Sequence, residues 1–186
     1  DSHNFQGMWW GTQADFETAA GRLARAYPDS IVGNTEYGQF GPSASWYGRR
    51  KVEAGSSEVQ MDAALLRMEQ TEALRRLRFD IIMPYGSWMG RASATGRYED
   101  ASMAYHALRN AFSPLGVSMD FSGRHALAGQ VLKVPVWVIS DSEAAKGPVE
   151  VGVYLLEEHP GFDFSGKVDG LTVLSQGGYS AVLSPW

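Results

Sequence analysis

The 186 residues provide for one or two domains and a sizeable core, and 44% hydrophobic with 20% charged residues is an ordinary globular composition. A net charge of −5 argues against a general nucleic-acid binder. The absence of cysteine excludes disulfides, thiolate metal sites and a cysteine nucleophile, and no apolar run approaches the roughly 18 residues of a membrane-spanning helix.

Residues 1–12 read as a strand end and loop, in which Met8-Trp9-Trp10 lies between glycines. That triplet reads equally well as an aromatic platform or as a plug beneath the next helix. Asp1-Ser2-His3-Asn4 has neither a basic nor an apolar leader region, so no signal peptide is read there. Phe16, Ala19, Ala20, Leu23 and Tyr27 recur at helical spacing and predict a helix over 13–27, with Thr12 as its cap and Pro28 as its stop.

The stretch from Ile31 to Phe40 follows. A short apolar run ends in Glu36, then Tyr37 and a glycine turn, as when a buried parallel strand delivers an acid to a barrel mouth. Residues 41–55 form a long loop rich in Gly, Ser and aromatics, containing Trp46, Arg49 and Arg50, and loops of that length are often functional. The clearest helix is predicted over 57–77, with Ser57 as cap. Val59, Ala63, Leu66, Ala73 and Leu77 form one broad apolar face, and Met61, Leu65 and Met68 a second stripe. Glu72 and Arg76 are spaced for an i,i+4 ion pair on its outer surface. Residues 79–88 read as a buried strand ending in Tyr85 and Trp88. A helix over 99–112 carries Ala101, Tyr105, Leu108 and Phe112 in register, and Pro114 ends it.

Beyond residue 113 the helical period disappears. Val117–Phe121, Val131–Ile139, Val149–Leu156 and Leu171–Leu174 read as strands separated by Gly- and Pro-containing turns. Pro135 suits an edge or a bulge, and Trp137 suits a core. These strands predict an antiparallel sandwich over 114–186, with a boundary near Ser113-Pro114.

The first part therefore alternates strand and helix, the grammar of a parallel α/β sheet or barrel. A complete (β/α)8 barrel uses eight such units and typically about 250 residues, and this chain supplies about three. Asp1-Ser2-His3-Asn4-Phe5, Asn34-Thr35-Glu36-Tyr37-Gly38 and Met83-Pro84-Tyr85-Gly86-Ser87-Trp88, in that order, resemble the sixth, seventh and eighth strands of family 2 glycoside hydrolases. Ala104 to Pro114 resembles the last barrel helix, and Val117-Ser118-Met119-Asp120-Phe121 with Val136-Trp137-Val138-Ile139 resembles the immunoglobulin-like sandwich that follows it.

The resemblance implies the C-terminal part of a retaining β-glycosidase: the last three βα units of a TIM barrel over 1–113 and an immunoglobulin-like sandwich over 114–186. Glu36 would be the nucleophile. Trp88 would stack on the sugar, with Trp10 and Trp46 as further platforms, and His3, Asn34 and Tyr37 would position the ring and Glu36. The acid/base of such enzymes sits in an Asn-Glu pair on the fourth strand, which has no counterpart in this sequence. A retaining mechanism needs both carboxyls, so the chain alone is expected to be inactive. Related enzymes also often carry a Tyr where Phe5 stands, and Phe5 cannot donate a hydrogen bond to the nucleophile.

No cofactor or metal is expected. His106, His125 and His159 lack a second ligand at metal spacing, Ser87 lacks a nucleophile-elbow context, and Gly33 and Gly38 make no dinucleotide fingerprint. The expected partner is an oligosaccharide or glycoside, with no nucleic acid and no membrane, and with self-association through exposed barrel edges. The resemblance favours a secreted or periplasmic setting. The competing expectation is a non-catalytic carbohydrate-binding or interaction module using the aromatic loops and the sandwich surface.

Overall fold

The computed structural model describes residues 13–37, 57–84, 102–120, 127–141, 147–157 and 170–183. Along the chain these form α1 (Gln13–Ala26), β1 (Gly33–Tyr37), α2 (Ser57–Arg76), β2 (Ile81–Pro84) and α3 (Met103–Ala111), then β3 (Leu115–Met119), β4 (Val136–Ser140), β5 (Gly147–Leu156) and β6 (Val173–Leu183). Among the described residues β1 pairs with β2 in parallel, whereas β3 with β4 and β5 with β6 form antiparallel ladders. The chain is thus a mixed α/β protein built on small two-stranded sheets.

Helix α2 organises the described structure. One side covers the parallel pair, where Tyr37, Ala73, Leu74 and Phe79 form a buried cluster bordered by Leu23, Val32 and Ile82. Another side meets α3 through Ala64, Ala104 and Ala107. Small side chains let two helix backbones approach closely, so the alanines that look weakly apolar in sequence become the contact. A third side supports β3 and β4 through Arg75 and Arg76.

The C-terminus of α2 is closed by main-chain geometry. Arg78 has φ 58°, its N–H donates to the Arg75 carbonyl at 3.0 Å, and the Phe79 N–H donates to the Leu74 carbonyl at 3.2 Å. This is the Schellman pattern, completed by contact between Leu74 and Phe79 in the core. Phe79 therefore belongs to the helix end and not to the following strand, which is why β2 starts later than its apolar run suggests. At the start of α3 the Ser102 hydroxyl accepts the Tyr105 N–H at 3.2 Å, a regular N-cap.

Three sequence readings are corrected. Glu72 and Arg76 do not form an outer-surface pair: both turn to Ser118 on β3, because the β3–β4 hairpin covers that side of α2. Phe112 is not on the buried face of α3. It caps the helix at 40% exposure, and Ala104, Ala107, Leu108 and Ala111 supply the buried stripe. Trp137, expected in a core, is 38% exposed and lies under the Arg76 guanidinium, 4.6 Å from its ring centroid. Pro135 directly precedes β4, where its carbonyl accepts the Asp120 N–H at 3.0 Å and no ladder donor is lost.

Candidate functional site

The parallel pair is aligned first at its amino end. The Asp80 carboxylate accepts the Val32 N–H at 2.8 Å, while the Asp80 N–H donates to the Val32 carbonyl at 2.9 Å. This reciprocal clamp fixes where β1 begins. Gly33 then faces Ile81, and a Cβ at Gly33 would come within 3.0 Å of the Ile81 Cβ. Glycine is needed here for close approach of the two strands.

The register then changes. Asn34 is opposite Ile82, yet Tyr37 is opposite Pro84, so three steps along β1 match two along β2. The additional residue falls at Thr35-Glu36. A bulge re-aims side chains and is over-represented beside active sites. This one lies at the carboxyl end of a parallel strand, the end where sites of α/β sheets and barrels are assembled. Nothing in the local composition announces it, because bulges are most legible when they carry glycine.

Residues on both sides of the bulge are enclosed: Asn34 is 0% and Tyr37 2% exposed. The Tyr37 hydroxyl lies 2.7 Å from Thr71 Oγ1, and Thr71 donates its only hydroxyl proton to the Arg67 carbonyl at 2.7 Å. Tyr37 is therefore the donor in the first bond. Burial pushes its phenol well above the usual range. Tyr37, expected among the residues positioning a sugar, has its hydroxyl committed to α2. Of the other candidates, the Glu36 backbone lies in β1, whereas His3, Trp10, Trp46 and Trp88 lie outside the described residues. The structure brings together Asn34, the Glu36 backbone and Tyr37.

Two constellations escaped sequence reasoning. At the α2–β3 junction the buried Ser118 hydroxyl bonds the Glu72 carboxylate and accepts from Arg76. Desolvation pushes the Glu72 carboxyl up to about 7; Glu69 adds to the rise, while Ser118, Arg75 and the Met119 backbone oppose it. Ser118 is 1% exposed, so it is not accessible as a nucleophile despite its carboxylate neighbour. Beside this junction a cleft of about 730 Å³ opens between the end of α2, the start of β2 and β4, with Arg78, Asp80, Phe112, Trp137 and Asp141 on its walls. Its members come from segments tens of residues apart, and no local spacing could have revealed it. It lies toward the amino end of β2, away from the Tyr37–Pro84 end where Glu36 is found.

Among the described residues no group of His, Asp and Glu is arranged to hold a metal ion, and no helix is long and apolar enough to cross a membrane. The chain matches no known protein family model, no curated protein and no solved structure.

Proposed function

We propose that this chain is the C-terminal part of a retaining β-glycosidase of the family 2 type, comprising the end of its TIM barrel and a following immunoglobulin-like sandwich. The observation that carries the reading is that the one acidic residue of β1 falls beside the register shift at Thr35-Glu36, at the carboxyl end of a parallel strand paired across a helical crossover. In this reading Glu36 attacks the anomeric carbon, the glycosidic C–O bond breaks, and a glycosyl ester forms on the Glu36 carboxylate. A second carboxyl, from an Asn-Glu pair on an earlier strand, protonates the leaving oxygen and then removes a proton from the water that hydrolyses the ester.

In this reading Tyr37 serves Glu36 through the backbone of β1. With its hydroxyl on Thr71, it anchors the strand that carries Glu36 and positions without touching sugar. Asn34, fully enclosed beside the bulge, supports the same segment. His3, Trp10, Trp46 and Trp88 are assigned to the sugar by the resemblance alone.

The test is covalent trapping in the full-length protein. A panel of 2-deoxy-2-fluoro-β-glycosides (galactoside, mannoside, glucuronide, and the corresponding glucoside) should leave a stable glycosyl ester, with the label found by peptide mass spectrometry on Glu36. Glu36→Gln should abolish hydrolysis of the matching aryl glycoside and retain its binding. Glycan binding without any hydrolysis or label would mark a binding module. Label on another carboxylate would remove Glu36 from the mechanism.

A further inference from the structure

We propose that the cleft between α2, β2 and β4 is a second saccharide-binding site, chemically independent of Glu36. Its size of about 730 Å³ falls within the range of small-ligand sites, and its walls combine aromatic faces with fixed polar groups. Trp137 and Phe112 line it at 38% and 40% exposure, so both aromatics keep surface open to solvent.

Charge decides the ligand class. Arg75 is paired with Asp141 at 2.7 Å, and Arg76 and Arg78 share the wall with Asp80, so three guanidiniums and two carboxylates line the cleft. The cleft also receives the carbonyl end of α2, which disfavours anions. The helix dipole opposes the small positive excess of the wall, and no group of residues arranged to hold a metal ion is found among the described residues, so a neutral guest fits the cleft better than a charged one. What remains is a surface offering both donors and acceptors beside apolar ring faces.

A neutral polyhydroxylated ring matches that pattern: its axial C–H face packs on an aromatic and its hydroxyls alternate as donor and acceptor. The acceptor is Asp141. Its side chain is 59% exposed, and the bonds from Arg75 Nε and Nη2 both fall on Oδ2. The platform is Trp137, held in orientation by Arg76 from one side. A hydroxyl pair bridging Asp141 and the guanidinium side of the wall, with the ring against Trp137 or Phe112, uses every feature of the cleft.

The experiment is a titration of the full chain, labelled with 15N at the indole nitrogens, with cellobiose, lactose and β-1,4-mannobiose. Trp137→Phe identifies the Trp137 indole signal and keeps an aromatic ring under Arg76. At least one disaccharide should shift that signal saturably at millimolar concentration. Asp141→Asn should weaken binding about tenfold, and Glu36→Gln should leave it unchanged. The proposal fails if no disaccharide moves the Trp137 signal, if binding is the same in Asp141→Asn, or if benzoate shifts the signal and the sugars do not. Labelling of Glu36 by fluoroglycosides reads the other site, so either result can stand without the other.

Discussion

Arg75 and Asp141 meet at 2.7 Å across the junction of α2 and β4, one side chain 4% and the other 59% exposed. The same guanidinium donates to the Ser113 carbonyl at 2.8 Å and to the Ala111 carbonyl, so it ties α2 to the end of α3 as well. The two partners should therefore be unequal. Asp141→Asn removes a largely solvated charge and should cost about 1 kcal/mol, whereas Arg75→Met leaves two helix-end carbonyls unserved and should cost about 2–3 kcal/mol. Urea midpoints of the two variants check this, and equal losses would contradict the arrangement.

Glu72 makes stability depend on pH in an identifiable direction. The folded carboxyl retains its proton up to about 7, while an unfolded glutamate releases it near 4.5. Between these values the folded state binds the extra proton, so stability is greatest at the acid end and falls as pH rises through the window. Glu69, Arg75 and Arg76 from α2 and Ser118, the Met119 backbone and Asp120 from the β3 side face this site. Glu72→Gln should remove the slope and stabilise the fold by about 2 kcal/mol at pH 8, with little effect at pH 5. Thermal melts at the two pH values provide the test, and a gain larger at pH 5 would refute it.

Arg78 occupies the left-handed position of the α2 C-cap, with φ 58°. That conformation costs a non-glycine residue about 1 kcal/mol, partly offset by the greater chain entropy glycine brings to the unfolded state. Arg78→Gly should raise stability by about 0.5 kcal/mol, and Arg78→Val should lower it by at least about 1 kcal/mol. Denaturation curves for the pair measure both signs.

Tyr37→Phe deletes the donor to Thr71 but leaves the Thr71 bond to the Arg67 carbonyl in place. The expected loss is about 1 kcal/mol of stability, and in the proposed glycosidase kcat per folded molecule should fall with KM unchanged, because the hydroxyl anchors the strand of Glu36 and does not touch sugar. A large rise in KM without a stability change would instead put the hydroxyl in contact with substrate.

Much of the backbone was legible. The 57–77 periodicity corresponds to α2, of which Ser57 is the first residue, and the apolar runs at 31–40 and 79–88 contain β1 and β2. Their limits were less legible, because Asp80 and the Arg78 cap are settled by bonds to Val32, Arg75 and Leu74. The faces were the least legible. Arg67, Gln70, Thr71 and Arg75 are buried on α2, and polar residues carry no hydrophobic period to betray them. Glu36 stood out as a strand-end acid, but the bulge that places it did not. The cleft at Trp137 and Asp141 had no signature at all.

The sequence by itself determined the alternation of strands and helices, the change to β structure after Ser113, and the single acid at the end of β1. Those follow from local chemistry: apolar spacing, turn residues and caps act over a few positions. Tertiary structure alone decided that Tyr37 faces helix α2, that Glu72 turns to Ser118, and that Arg75 is joined to Asp141. Each depends on a partner 34 to 66 residues away, and what surrounds a side chain, more than its identity, sets its burial and protonation.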